Sequence, residues 1–223
     1  MACGIFDKNV YINSVAPQSC AGAVSGRYIS LKNQKKIGIL IALGAITTSV
    51  TIQLRQATAV AGTGVKALNF DHVWRTGGKL AYTVTAGALQ VGEVITGTTS
   101  AATAKIHQKF STGLVIYSIS GTFQSGETIT GTTSAATGVL TSAVTEYGMK
   151  CRVAMAAAAN TIALTIPNET YCIDVLPETL DVANGFDCIM ADISAVGGTS
   201  LAVVSYILDP KYKEEPQKSP IID

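Results

Sequence analysis

The chain has 223 residues, enough for one large domain or two small ones with a real hydrophobic core and no need of disulfide staples. Lysine and arginine number 16 against 15 aspartates and glutamates, a net charge of +1, which excludes a basic or acidic footprint for nucleic acid or an anionic membrane. Only 14% of residues are charged, against roughly 25% in an ordinary soluble protein, while 48% are hydrophobic and 6% aromatic. The apolar content is mostly Ala, Val, Ile and Leu mixed with Thr, Ser and Gly, which suits strands and tight turns. So few charges leave a free surface poorly solvated, and much of that surface is therefore expected to be covered by neighbours.

The first residues, MACGIFDKNVYINS, lack the basic region and long apolar run of a secretory signal. Residues 1–14 read as an arm. Val10–Ile12 and Tyr28–Leu31 read as short strands on either side of the Ala/Ser/Gly-rich stretch Ser14–Gly26. Ile37–Leu43 and Thr48–Leu54 read as two apolar strands around a Gly44–Ala45 turn. Their uninterrupted apolar run is about half of the ~20 residues a membrane helix needs. Ala59–Leu68 is a glycine-rich loop, followed by short strands at Phe70–Trp74 and Leu80–Val84.

Residues 91–144 contain an internal repeat. Gly92–Ala104 reads GEVITGTTSAATA and Gly126–Gly138 reads GETITGTTSAATG, a period of 34 residues with eleven of the first twelve positions identical. Such identity marks modular construction. The β-branched residues and glycines exclude helical repeats of that length. Each unit reads as a strand, a glycine, a Thr/Ser/Ala turn and a returning strand, with Gly113–Ser120 as one more strand between the units. After the module come strands at Lys150–Ala156, Thr161–Ile166 and Tyr171–Val175, an Asn184–Gly185 hairpin turn, and a last strand at Leu201–Leu208. Residues 210–223 hold three prolines and alternating charge and read as an extended tail.

The expected fold is therefore all-β. A β-sandwich or jelly-roll-like core spans residues 15–90 and 145–209, and a small β-hairpin repeat module, 91–144, is inserted in one of its loops.

Chemistry-bearing patterns are sparse. His72 and His107 lack neighbours at metal-ligand spacing, so no metal is expected, and no cofactor either. Gly62–Ala67 (GTGVKA) fails as a phosphate loop because Val65 separates glycine from lysine and Ala67 replaces the hydroxyl residue. No GxSxG is present, and the reading is non-enzymatic. Asp181–Asp187 could offer calcium two carboxylates, but a hairpin already explains those residues. Glu93 and Glu127 occupy equivalent repeat positions and look like copies of one structural residue that accepts a hydrogen bond from a turn after glycine. Five cysteines (3, 20, 151, 172 and 188) form no CxxC pair and read as reduced thiols made in a cytoplasm. Cys3 and Cys20 are the best placed for an inter-subunit disulfide, since a terminal arm reaches a neighbour. The repeat turns Thr98, Thr99, Ser100 and Thr132, Thr133, Ser134 are candidates for a surface that binds polysaccharide.

Tyr28–Asn33 (YISLKN), Leu54–Leu68 (LRQATAVAGTGVKAL) and Leu180–Ile189 (LDVANGFDCI), with SYIL and a KY-containing tail, resemble a family of small structural proteins of tailed bacteriophages. The resemblance covers most of residues 1–85 and 150–223. It implies a compact β-protein of the virion, a decoration or cement protein on the capsid exterior made in the bacterial cytoplasm. Its implied partners are the major capsid protein and itself, as a homotrimer, with neither nucleic acid nor membrane. The repeat module departs from the family pattern. Its GExITGxTSxAT units resemble repeats of phage fibre and surface proteins, which implies outward display, with three roles open to the module: binding a host-surface polysaccharide, clasping neighbours, or simply protruding. A neck, tail or fibre-associated protein is the alternative.

Overall fold

A computed structural model of the chain describes residues 9–196 and 198–211. Within them the strands are β1 (Val10–Cys20), β2 (Ile29–Ser30), β3 (Gln34–Ile46), β4 (Val50–Ala57), β5 (Lys66–Ala67), β6 (His72–Ala86), β7 (Val94–Gly97) and β8 (Thr103–Lys109). They continue with β9 (Gly113–Ser120), β10 (Thr128–Gly131), β11 (Thr137–Leu140), β12 (Thr145–Ala154), β13 (Thr161–Leu164), β14 (Thr170–Val175), β15 (Cys188–Val196) and β16 (Ser200–Pro210). Two single-turn 3-10 helices, Pro177–Thr179 and Val182–Asn184, are the only helical elements among the described residues. No helix there is long and apolar enough to cross a membrane. The protein is all-β.

The chain divides into two compact units. Among the described residues, the first comprises 9–71, 156–165, 172–196 and 198–211; the second comprises 72–155 and 166–171. The repeat therefore belongs to a unit larger than the inserted module expected at 91–144. That unit starts at His72, because β6 is one continuous 15-residue strand and not two short ones.

In the first unit one sheet has the order β1-β16-β3-β14 and the other β13-β4-β15-β2, with β5 on β4. Burial follows the two-residue period of a strand: Ile37, Ile39, Ile41 and Leu43 on β3, Val50, Ile52 and Leu54 on β4, and Val204, Tyr206 and Leu208 on β16 are buried. β15 is buried on both faces from Cys188 to Ile193.

Polar groups tie the two sheets together. Ala191 N–H on β15 donates to Tyr206 Oη on β16 at 2.8 Å, and Tyr206 Oη donates to Arg27 O at 2.9 Å. Ser14 Oγ on β1 donates to Ala191 O at 2.8 Å, lies 2.7 Å from Tyr206 Oη, and accepts from Arg27 N–H at 3.2 Å. Ser14, Tyr206 and Ala191 are all buried, so each of these groups would otherwise lose its water without replacement.

Several expectations are corrected here. Residues 10–20 form strand β1 on β16 in place of an arm and a loose Ala/Ser stretch. The strand tolerates Pro17 because it is an edge strand and its register slips between Val15 and Gln18, where no ladder N–H is needed. Gly44 is not a turn residue. It sits inside β3, where a Cβ would come within 3.0 Å of Leu201 Cβ, and the chain turns instead at residues 47–49 to reach the other sheet. Asn184–Gly185 does not close a hairpin: Asn184 ends a 3-10 turn that Gly185 caps at φ 81°. Residues 1–8 and 212–223, most of the expected arm and tail, lie outside the described residues.

Replacing Tyr206 by phenylalanine should cost about 1–3 kcal/mol in urea unfolding, because Ala191 N–H loses a buried acceptor. An unchanged midpoint would refute the bridging role.

Candidate functional site

The repeat builds a closed barrel in the second unit. Around it run β6, β11, β10, β7, β8 and β9, each antiparallel to the next, and β9 returns to β6. The repeated unit is longer than its conspicuous core. Leu80, Tyr82, Gly87, Leu89 and Gln90 stand 34 residues before Leu114, Ile116, Gly121, Phe123 and Gln124. Each half thus contributes three strands: residues 80–86 of β6 with β7 and β8, and β9 with β10 and β11. Gly113–Ser120 is therefore the first strand of the second half, not a spacer between units.

The interior is filled by paired equivalents: Leu80 and Leu114, Leu89 and Phe123, Ile95 and Ile129, Ala102 and Ala136, Ile106 and Leu140. Where the halves differ, volume is exchanged. The first half carries Tyr82 where the second has Ile116, and Gly138 then replaces the equivalent Ala104. A Cβ on Gly138 would lie 2.7 Å from the Tyr82 ring.

The part of the motif that both units share, glutamate, glycine and the Thr-Thr-Ser turn, makes one device. Glu127 of the second half reaches the turn of the first, accepting from Thr99 N–H at 3.3 Å, Ser100 N–H at 3.0 Å and Ser100 Oγ–H at 2.9 Å. Glu93 of the first half does the same with the second, accepting from Thr133 N–H at 3.2 Å, Ser134 N–H at 3.0 Å and Ser134 Oγ–H at 2.9 Å. Each carboxylate also accepts from its own half, from Gln124 N–H at 2.6 Å and from Gln90 N–H respectively. The turns close by Ala101 N–H to Gly97 O and Ala135 N–H to Gly131 O, both 3.0 Å.

The glycine before each turn leaves room for the crossing carboxylate. A Cβ on Gly97 would sit 2.5 Å from Glu127 Oε2, and one on Gly131 2.5 Å from Glu93 Oε2. Glu93 and Glu127 are each 5% exposed. Burial pushes both carboxyls up, but the hydrogen bonds from Gln90, Ser134 and Thr133, and from Gln124, Ser100 and Thr99, outweigh it and hold both below the usual carboxylate range.

The candidate binding turns are therefore partly committed to the barrel. Ser100 and Ser134 spend their hydroxyls on the carboxylates, while Thr98, Thr99, Thr132 and Thr133 are exposed. Because β7 and β10 are antiparallel, the two turns lie at opposite ends of that strand pair, so the structure does not bring them into one surface.

A second polar cluster gives no local sign in the sequence. Arg75 and Glu169 are 94 positions apart and meet side by side: Arg75 Nε donates to Glu169 Oε1 at 3.0 Å and its Nη2 to Oε2. Tyr171 Oη–H donates to Glu169 Oε2 at 2.6 Å. The guanidinium lies 4.8 Å from the Tyr171 ring centre and 5.3 Å from that of Tyr117. Burial pushes the Tyr171 phenol far up, and the neighbouring carboxylate adds to it, so the phenol remains a donor. An open groove of about 440 Å³ runs beside this pair, between Thr76, Gly77, Ile119, Gly148 and Asn168.

Cys3 lies outside the described residues. Cys20 is a buried free thiol, 1% exposed, so a bond to a neighbouring chain requires the end of β1 to open. His72 is bound to Arg152 Nη2 at 3.1 Å, and His107 packs edge-on against Tyr117. Asp181 is engaged by Lys66 and Asn184. No group of three His, Cys, Asp or Glu among the described residues could hold a metal ion.

No known protein family, curated protein or solved structure matches this chain.

Both carboxylates are depressed, so their stabilisation is present above the ordinary carboxylate pKa of about 4.3 and is lost as pH falls through the lower folded value. Glu93→Gln with Glu127→Gln should flatten the acid limb of the stability–pH curve and lower stability at pH 7 by about 1.5–3 kcal/mol per site. An acid limb identical to that of the parent would contradict the clasp. Arg75→Ala should cost about 3–5 kcal/mol in thermal or urea unfolding, because it leaves Glu169 buried without its partner.

Proposed function

We propose that this chain is a non-enzymatic structural protein of a tailed-phage virion, one that decorates the capsid exterior and stabilises it by bridging neighbouring capsid subunits. The observation that carries this reading is the arrangement at one end of the first unit. Val10 of β1 stands opposite Leu208 of β16, and Lys211 N–H bonds to Asn33 O, so β1 starts and β16 finishes at that end. The loops at the same end, tied together by Lys66 with Asp181 and by Leu31 N–H with Asp187 O, expose Val60 (61%), Val65, Leu176 and Val182 (58%). Apolar loops beside the start of β1 and the end of β16 suit a surface that gains its burial on assembly, where binding adds stability to the bound state only. The charge-poor composition fits the same picture. The partners in this reading are the major capsid protein and further copies of the chain, as a trimer at a symmetry axis.

A second reading, a neck, tail or fibre-associated protein that contacts host polysaccharide, is favoured by the exposed Thr98–Thr99 and Thr132–Thr133 pairs. With the turns at opposite ends, such contacts would be two separate weak sites, not one.

Copy number in purified particles separates the readings: hundreds, in simple ratio to the major capsid protein, for decoration, and a few dozen or fewer for neck, tail or fibre. Deleting residues 211–223 should lower occupancy on the particle several-fold. Full occupancy of the truncated chain would remove the bridging role of the tail.

A further inference from the structure

The two seams between the halves of the barrel are self-complementary. In the seam of β7 with β10, Thr96 pairs with Thr130, flanked by Ile95 with Gly131 and Gly97 with Ile129. Thr130 is the repeat equivalent of Thr96, and Ile129 and Gly131 are those of Ile95 and Gly97. In the seam of β6 with β9, Leu80 pairs with its equivalent Leu114, flanked by Lys79 with Val115 and Ala81 with Gly113. A residue facing its own equivalent at the centre of each seam is the register of an isologous two-fold contact. The crossed carboxylates obey the same symmetry, since Glu93 meets Thr133 and Ser134 as Glu127 meets Thr99 and Ser100.

Neither half can satisfy itself. Within a half, only the second and third strands pair, β7 with β8 and β10 with β11. The first strand of each half pairs with strands of the other: β6 with β11 and β9, and β9 with β8. Glu127 and Ser134 flank opposite ends of β10, about 13 Å apart at ~3.3 Å per residue, so a half cannot clasp its own turn.

We infer that the 34-residue half-barrel is a self-complementary association module whose partner is a second copy of itself, and that the barrel of one chain joins two such copies in cis. Covalent linkage keeps the second copy at high effective concentration, so the intact chain closes its own barrel. A chain with one half has open strand edges, an uncovered Ile129 and Leu140, and a Glu127 without a turn, and it completes the barrel with a neighbour. The partner is recognised by the seam register and by the carboxylate–turn contact. This inference does not rest on the virion reading.

The test is the full chain lacking residues 80–113, which joins Lys79 to Leu114 and removes one 34-residue period. Light scattering should give twice as many chains per assembly as the full-length protein. Glu127→Ala in the shortened chain should raise the dissociation constant of that doubling at least tenfold, since the contact occurs twice by symmetry. The same number of chains per assembly as full length would overturn the inference, as would aggregation of the shortened chain. A doubling that Glu127→Ala leaves unweakened would overturn it as well.

Discussion

The barrel depends on two buried carboxylates that cross from one half of a repeat to the other. Each is taken out of water, a loss that stands only because three N–H or O–H donors from the opposite turn and one from its own half replace the hydration. The other features of the motif follow from that contact. The glycine at position 97 or 131 leaves space for the carboxylate, and the serine two residues before the buried alanine supplies both a hydroxyl donor to the carboxylate and an acceptor for the Ala102 or Ala136 N–H. The glutamate, the glycine, the Thr-Ser pair and the buried alanine recur unchanged in both units, as the contact requires if it is to be made twice, in opposite directions, by the same chain.

The same symmetry explains where the halves are allowed to differ. Interior positions vary in compensating pairs, as with Tyr82 against Gly138 and Ile116 against Ala104, because total volume inside a small closed barrel is fixed while its distribution is not. The first strands, which carry no carboxylate and no clasped turn, have diverged until only Leu80 and Leu114 remain in common, with Gly87 and Gly121, and Gln90 and Gln124, in the segments that follow them.

That divergence set the limit of what the sequence made legible. The apolar strands expected at Ile37–Leu43, Thr48–Leu54 and Leu201–Leu208 overlap β3, β4 and β16, although β3 runs on through the Gly44–Ala45 expected as a turn. The repeat itself, and a structural role for Glu93 and Glu127, were also readable. What was not readable is that each glutamate serves the other repeat, because pairing order within a barrel is a property of closure and leaves no local mark. The shared Leu, Gly and Gln at an offset of 34 could have extended the repeat to residue 80. Arg75 with Glu169 had no signal at all: two charged residues 94 positions apart are joined only by the fold. The edge strand β1 was hidden by Pro17 and by a bulge that breaks its alternation.

An interlocked barrel should open as one body, since every seam but the two hairpins joins one half to the other. Native-state amide hydrogen exchange tests this most directly, read at equivalent residues such as Ile95 and Ile129. The account predicts that the two amides exchange through the same opening, with equal free energies and equal denaturant dependence. Separate openings, with one half protected while the other exchanges, would contradict it.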